Sequence, residues 1–169
     1  MRLFHIVLSH GRESGPNARK ITQLAQLAEQ RGHNTLRPDY GTSAPPEVRL
    51  AQLIGLISEA DRPVILVGSS LGAYISGLAS LQTQVHGLFL LAPPVFFRGE
   101  HAPIALRAAR TCIVHGWRDE LIDPGEVVAL ARAYRAELLL LDDDHRLSAD
   151  IAKIGRSFVE FLTACEADA

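Results

Sequence analysis

The sequence is poor in the residues and segments that mark secreted, membrane-spanning and nucleic-acid-binding proteins. It has only two cysteines among its 169 residues, too few for a disulfide-rich scaffold. Cys112 and Cys165 both lie in apolar segments, which predicts small core residues in a reduced compartment. No run approaches the roughly 20 apolar residues of a membrane span, and the apolar stretch 1–8 is too brief for a signal peptide. We therefore expect a cytoplasmic protein.

An excess of charge is also lacking. Seventeen basic and nineteen acidic residues give a formal net charge of −2, and the basic residues are scattered along the chain. A nucleic-acid binder normally gathers its basic residues on one face, so no nucleic-acid partner is expected. The hydrophobic fraction of 47% and the length of 169 residues predict one ordinary globular domain over residues 1–169.

Short apolar runs alternate with longer segments that have the period of a helix. This alternation predicts right-handed crossovers, and therefore a parallel sheet covered by helices on both faces. The expected fold class is an α/β three-layer α/β/α sandwich with a mainly parallel six-stranded sheet. The six predicted strands are 3–8, 34–37, 63–67, 87–91, 111–114 and 138–141.

Several local details can be predicted for the second half of the chain. Asp123 and Pro124 are typical of a helix N-cap and its first residue, and the buried stripe of that helix is expected to include Tyr134. Ser148 is expected to cap the last helix. The segment 92–110 is irregular and rich in proline and phenylalanine. Two interpretations of it stand equally: a long functional loop or lid, or a turn followed by a helix over 104–110.

One short motif carries chemistry. Gly68-Ser69-Ser70-Leu71-Gly72 lies where an apolar strand ends and a helix begins at Leu71. A Gly-x-Ser-x-Gly pattern in this place is typical of a nucleophile elbow, a sharp turn that exposes the serine hydroxyl above the sheet. Ser70 is then the nucleophile, and Ser69 is one residue away from the required spacing. The alternative is a glycine-rich helix start with a capping serine.

The run VILVGSSLGA, together with later elements, resembles the α/β-hydrolase superfamily over nearly the whole chain. The resemblance implies a nucleophile, an acid and a histidine in that order, each after a strand. His115-Gly116-Trp117-Arg118-Asp119 is similar to the family's stretch that carries the acid, which implies that Asp119 is the triad acid. His145 follows the last strand and is implied as the general base. Asp-Asp-Asp precedes it where many relatives have small residues, which leaves open whether Asp144 also orients the ring.

The same resemblance implies the remaining parts of an active site. Ser9-His10-Gly11-Arg12 resembles the family's oxyanion loop, so the backbone N–H groups of Leu71 and Arg12 are the implied oxyanion donors. The alternative is that Gly11 marks only a tight turn. No metal or organic cofactor is expected, because His10, His115 and Asp119 lie at strand ends without a tight metal-ligand spacing.

The substrate pocket is expected to be shallow and open. No segment is long enough for a helical cap, and the family's usual first two strands have no counterpart before the first apolar run. The expected apolar wall includes Phe96 and Phe97, with Trp117 beside the acid, which suits small or acyl-chain esters. The alternative for these aromatic residues is packing in the core beneath the long loop.

Together these features predict a small, cap-less serine hydrolase that cleaves a small ester or thioester through a Ser70–His145–Asp119 triad and an acyl-enzyme. An acyltransferase or peptidase could use the same machinery, and a catalytically inactive hydrolase-like binding module is a third possibility. The expected partner is a small-molecule, ester-like substrate.

Overall fold

The structure, a computed structural model, describes residues 1–97 and 102–168. Its centre is a six-stranded sheet in the order β2-β1-β3-β4-β5-β6, and every neighbouring pair is parallel. The predicted sheet is therefore confirmed, with all strands parallel. The strands are β1 (His5–Ser9), β2 (Asn34–Leu36), β3 (Val64–Ser69), β4 (Gly87–Leu91), β5 (Arg110–Gly116) and β6 (Glu137–Leu141).

In the described residues, five helices cover the two faces of the sheet, which confirms the three-layer architecture. On one face, α1 and α5 pack over Ile6 and Leu8 of β1. On the other face, α2, α3 and α4 pack over Val7 and the corresponding residues of the other strands. Alternate side chains of a strand point to opposite faces, so strands that are apolar throughout supply both cores. The helices are α1 (Arg19–Gln30), α2 (Pro46–Ser58), α3 (Leu71–Gln82), α4 (Pro124–Tyr134) and α5 (Ile151–Ala167).

The strand order creates a crevice at the carboxyl end of the sheet. From β1 the chain crosses outward to β2 and then returns to β3 on the other side of β1. The register pairs Ser9 with Gly68, so the loops that follow β1 and β3 begin side by side. Ligands of open α/β sheets bind at such a switch point. The first and third strands are therefore neighbours at this point of the sheet.

Asp123 holds the predicted N-cap position of α4, although its side chain makes no capping hydrogen bond. The prediction for Ser148 was wrong: α5 begins at Ile151, and the carboxylate of Asp150 accepts a hydrogen bond from the Lys153 amide. The chain makes a further turn at residues 149–150 before the helix starts. Tyr134 is 39% exposed rather than part of the buried stripe, because α4 ends there and Arg135 adopts a left-handed conformation.

Of the two interpretations of the segment 92–110, the one with a helix over 104–110 is wrong. The described residues 102–109 have no regular structure, and Arg110 begins β5. Tertiary hydrogen bonds replace those of a helix here: the Ile104 amide donates to the Val95 carbonyl, and the Arg107 amide donates to the hydroxyl of Ser80 on α3. The segment is therefore a loop in its described part, and residues 98–101 lie outside the described residues.

Both cysteines are free and buried, as predicted. Burial raises the pKa of each thiol to about 12, which suppresses the reactive thiolate at neutral pH. Across the described ranges, no helix combines the length and apolar character needed to cross a bilayer. The cytoplasmic location stays a prediction.

Candidate active site

Ser70 lies in the turn between β3 and α3 with a strained backbone. Its φ is 52° and its ψ is −116°, a region that L-residues with a side chain rarely adopt and that costs about 1–3 kcal/mol. The turn is held because the Ser70 amide donates to the Leu91 carbonyl of β4 at 2.9 Å while α3 begins at the next residue. This is the geometry of a nucleophile elbow.

The glycines two residues before and after Ser70 permit this turn. A methyl group on Gly68 would lie 2.5 Å from the Cα of Ala73 in α3. One on Gly72 would lie 2.6 Å from the carbonyl carbon of Ser9, at the end of β1. Real Cβ atoms do not approach backbone so closely, so any larger residue would push α3 away from the strands. The two glycines therefore bring the elbow against the loop after β1.

Asp119 follows β5 and is nearly buried, with 7% exposure. Its Oδ1 accepts hydrogen bonds from the amides of Leu121 and Ile122 at 2.9 and 3.0 Å. Gly116 precedes it, and a methyl group there would lie 2.8 Å from the carbonyl carbon of Asp143. The absence of a side chain at Gly116 thus lets the loop after β6 cross directly over the end of β5.

The loop after β6 carries His145 and is held by a carboxylate of its own. Asp143 is 4% exposed. Its two oxygens accept hydrogen bonds from the amides of Asp144 and Ala149, each at 2.8 Å. Leu147 is fully buried within the same loop. These contacts fix the backbone on both sides of His145.

The three residues implied as a triad meet at the carboxyl ends of β3, β5 and β6. His145 Nδ1 lies 2.7 Å from Asp119 Oδ2, and His145 Nε2 lies 3.0 Å from Ser70 Oγ. Because a carboxylate can only accept, Nδ1 carries the ring proton and Nε2 is left to accept from the Ser70 hydroxyl. This tautomer is the one that a general base beside a serine nucleophile requires.

A second histidine stands behind the acid. His115 on β5 is fully buried, and its Nε2–H donates to the Ile122 carbonyl at 3.1 Å while lying 3.6 Å from Asp119 Oδ2. Burial lowers the pKa of His115 below its ordinary value, so the ring is neutral at pH 7. A neutral His115 therefore brings no positive charge that would compete with His145 for the Asp119 carboxylate.

The Asp144 carboxylate hydrogen-bonds to the backbone of its own loop. Its Oδ1 accepts from the Arg146 amide at 2.8 Å, and the side chain is exposed. The Lys20 ammonium donates to the Arg146 carbonyl on the same loop. Burial lowers the pKa of Lys20, and the charges of the nearby carboxylates partly oppose that shift. The open question about the run of aspartates is thereby answered in geometric terms: Asp119 is the carboxylate that faces the histidine.

The loop after β1 lies against the elbow. A methyl group on Gly11 would be 3.6 Å from the Cβ of Ser70 and 3.5 Å from the carbonyl oxygen of Ser69. Within residues 1–97 and 102–168, the amides of Leu71 and Arg12 donate no hydrogen bond. Two such N–H groups beside a nucleophile can together receive a developing oxyanion. Gly11 therefore lies next to Ser70.

The three aromatic residues predicted to bind substrate have different surroundings. Trp117 and Phe96 are 56% and 42% exposed. Phe97 stacks on Tyr74 of α3 with the ring centroids 4.4 Å apart. A cavity of about 190 Å³ lies between Arg12, in the loop after β1, and residues 42–46. A larger one of about 350 Å³ lies away from Ser70, between β6 and α5.

The described residues hold no group of three or more histidine, cysteine or carboxylate side chains suited to a metal ion. The histidine and aspartate side chains at the strand ends make hydrogen bonds within the protein instead. His10 Nδ1–H donates to the Gly11 carbonyl at 2.7 Å, and its Nε2 accepts from the Tyr40 amide at 3.3 Å.

Two residues around this site escaped prediction. Asp143 is the second of three consecutive aspartates, and nothing in the sequence separates it from its neighbours. Arg49 on α2 is fully buried. It lies four and eight residues before Leu53 and Ile57, the apolar residues buried on the same face. That spacing was the available signal, but a charged residue is rarely buried.

Comparison with known proteins places the chain among hydrolases. The model of the alpha/beta hydrolase family matches residues 6–168. A protein of Xanthomonas campestris pv. campestris, assigned to the hydrolases of the alpha/beta superfamily, is 41% identical, with 95% of this chain and 98% of that one covered and a TM-score of 0.88. No curated protein matches the sequence significantly.

More distant solved structures share the fold. Est1E from Butyrivibrio proteoclasticus is 16% identical, with 99% of this chain and 90% of that one covered and a TM-score of 0.83. An α/β serine hydrolase without a lid from Xanthomonas campestris is 17% identical, with 94% and 81% covered and a TM-score of 0.77.

Proposed function

Because this chain belongs to the alpha/beta hydrolase family, we propose that it is a serine hydrolase that cleaves small esters or thioesters. The observation that carries the proposal is the hydrogen-bonded series Asp119–His145–Ser70, with distances of 2.7 and 3.0 Å and the serine on a strained turn. Backbone strain of this kind persists only where the surrounding structure holds it in place, and it is concentrated at active sites.

The reaction follows from the positions of the protons. His145 Nε2 removes the hydroxyl proton of Ser70 as Oγ bonds to the carbonyl carbon of the substrate. Asp119 stabilises the imidazolium, and the amides of Leu71 and Arg12 receive the negative oxygen. The imidazolium gives its proton to the leaving alcohol or thiol as the bond from the carbonyl carbon breaks, leaving an acyl group on Ser70. Water, deprotonated by His145, then attacks the carbonyl carbon of this ester. The bond to Ser70 Oγ breaks, His145 returns the proton to Oγ, and the acid is released.

The exposed aromatic side chains and the small cavity beside Arg12 favour a compact, weakly charged substrate. Phe96 and Trp117 offer exposed apolar area for an acyl chain or an aromatic group. The nearby cavity of about 190 Å³ is small, below the roughly 300–1,000 Å³ of pockets that enclose drug-sized ligands. We expect short acyl chains to react faster than long ones.

A fluorophosphonate probe tests the nucleophile directly, because it reacts with serines activated by a base. The wild-type protein and Ser69→Ala should be labelled at Ser70, whereas Ser70→Ala should not. Ser69 is the matched control, being the same residue type one position away. Full labelling of Ser70→Ala would contradict the assignment, and an inert wild-type protein in folded form would favour a binding module.

A panel of p-nitrophenyl esters of increasing chain length, with the matching thioesters, identifies the substrate class. The acyltransferase and peptidase alternatives are separated by product analysis with added alcohol or amine acceptors. Acyl products in place of the free acid would show transfer, and cleavage of peptide amides would show a peptidase.

A further inference from the structure

Arg49 is a buried cation whose hydrogen-bond acceptors are all carbonyl groups, and its guanidinium lies over the Tyr40 ring, 5.5 Å from the centroid. It lies in the first turn of α2, is fully buried, and has no carboxylate at ion-pair distance among the described residues. An arginine remains protonated in proteins. Burying a charge without a counter-ion is expensive unless every donor finds an acceptor, so the contacts of this guanidinium indicate what it is for.

The guanidinium connects two loops. On one side, Arg49 Nη2 donates to the Gly41 carbonyl at 2.7 Å and Nε donates to the Ala44 carbonyl at 3.1 Å. On the other side, Nη1 donates to the carbonyls of Gly11 and His10 at 3.2 and 3.4 Å. The second pair belongs to the loop that lies against Ser70.

We propose that Arg49 is a positioning residue for the oxyanion site, acting through the peptide group that joins Gly11 to Arg12. In a trans peptide the C=O and N–H bonds point in opposite directions within one plane. Holding the Gly11 carbonyl on Arg49 therefore sets the direction of the Arg12 N–H on the other side. The inference rests on the proposed function, which uses that N–H as an oxyanion donor.

The Gly11 carbonyl receives a second hydrogen bond, which strengthens this effect. His10 Nδ1–H donates to it at 2.7 Å. A carbonyl with two donors, one of them cationic, is polarised, and its peptide N–H becomes a stronger donor in turn. Arg49 thus orients the Arg12 amide and increases its partial positive charge, where the transition state becomes negative.

The first test compares Arg49→Lys and Arg49→Met with Arg31→Met. Lysine keeps the charge but loses the planar fork that reaches both loops. Arg31 is the matched control because it is a partly buried arginine that binds Glu166, away from Ser70. We expect kcat to fall by about 10- to 100-fold in Arg49→Lys and further in Arg49→Met, with KM nearly unchanged. Arg31→Met should retain wild-type kcat per folded molecule.

A second pair of variants tests the same peptide without touching Arg49. In His10→Asn the side-chain amide can replace Nδ1–H as donor to Gly11, whereas in His10→Gln the amide oxygen replaces Nε2 as acceptor and the bond to Gly11 is lost. We expect His10→Gln to lose more kcat than His10→Asn. This comparison holds even if Arg49→Met fails to fold.

The decisive readout is the affinity of an aryl boronic acid, whose adduct with Ser70 places an oxygen at the oxyanion position. Measured per active site by fluorophosphonate titration, this affinity should fall in proportion to kcat/KM across the variants. If the wild-type protein is active and Arg49→Lys changes neither kcat nor the boronate affinity, the inference about Arg49 is overturned and the proposed function stands. A wild-type protein inert to probe and esters would overturn the proposed function, and this inference with it.

Discussion

Replacing Asp119 by asparagine should abolish most hydrolysis while leaving the fold intact, and the structure says why. Oδ1 of Asp119 accepts from the amides of Leu121 and Ile122, and Oδ2 accepts from His145 Nδ1. In the variant, the single amide oxygen must take the place of Oδ1, because two backbone donors face it. The NH₂ group is then forced toward His145.

This reversal changes the tautomer of the histidine. An NH₂ group facing Nδ1 can only donate, so Nδ1 loses its proton and Nε2 gains one. A protonated Nε2 cannot accept the Ser70 hydroxyl proton, although it lies 3.0 Å away in the wild-type protein. The analogous change in other triads lowers kcat by roughly 10⁴-fold, which corresponds to about 5.5 kcal/mol of transition-state stabilisation.

The assay is steady-state hydrolysis of a short p-nitrophenyl ester, with thermal unfolding measured alongside. Asp144→Asn is the matched control, since that carboxylate lies next to the histidine in sequence but accepts from the Arg146 amide. We expect Asp144→Asn to retain kcat within about threefold, because substitutions at exposed positions usually have small energetic effects. The reasoning would be refuted if Asp119→Asn kept a tenth of wild-type kcat, or if Asp144→Asn lost more activity than Asp119→Asn.

Three further predictions concern packing, electrostatics and thiol chemistry. Gly72→Ala should lower the free energy of unfolding in urea by about 1–3 kcal/mol and reduce probe labelling, because its methyl group meets the β1 backbone. The control Gly55→Ala lies in an exposed turn of α2 with open space around it and should instead raise the free energy of unfolding by about 0.5–1 kcal/mol. Burial favours a raised pKa for Glu166, but the arginine and histidine it binds lower that pKa overall. The contribution of Glu166 to the free energy of unfolding is therefore present above the unfolded pKa near 4.3 and is lost as pH falls through the lower folded pKa. Glu166→Gln should therefore be about 1–3 kcal/mol less stable at pH 7, and a gap that did not narrow at about pH 3 would contradict this. Cys112 and Cys165 should react with an aromatic disulfide only after unfolding, since burial raises the pKa of both to about 12; rapid reaction of the native protein would show that the core opens.

The layered fold was predictable because it depends on local patterns. Strands buried on both faces must be apolar throughout, and helices that cover them must show a periodic apolar face. β4 was predicted with its observed bounds, Gly87–Leu91, and α3 with its observed start at Leu71. The elbow was predictable for the same reason, since its glycines, serine, strand and helix all lie within a few residues.

Local patterns did not decide the structure where a partner distant in the sequence outweighed a local preference. Residues 104–109 are compatible with a helix, but the Ile104 amide bonds to Val95 and the Arg107 amide bonds to Ser80. The Ala149 amide bonds to Asp143, and α5 starts later than Ser148 suggested. Such hydrogen bonds join residues separated along the chain, so periodicity carries no information about them.

By itself, the sequence determined the parallel α/β sandwich and the position of Ser70, because local periodicity and backbone sterics specify both. Only the tertiary structure decided that Asp119 rather than Asp144 faces His145, and that the charge of Arg49 is buried against the loop beside Ser70. Those outcomes depend on how loops from separate strands cross at one edge of the sheet. Each outcome depends on which carbonyl or carboxylate accepts a hydrogen bond from a given donor, and that pairing exists only once the chain has folded.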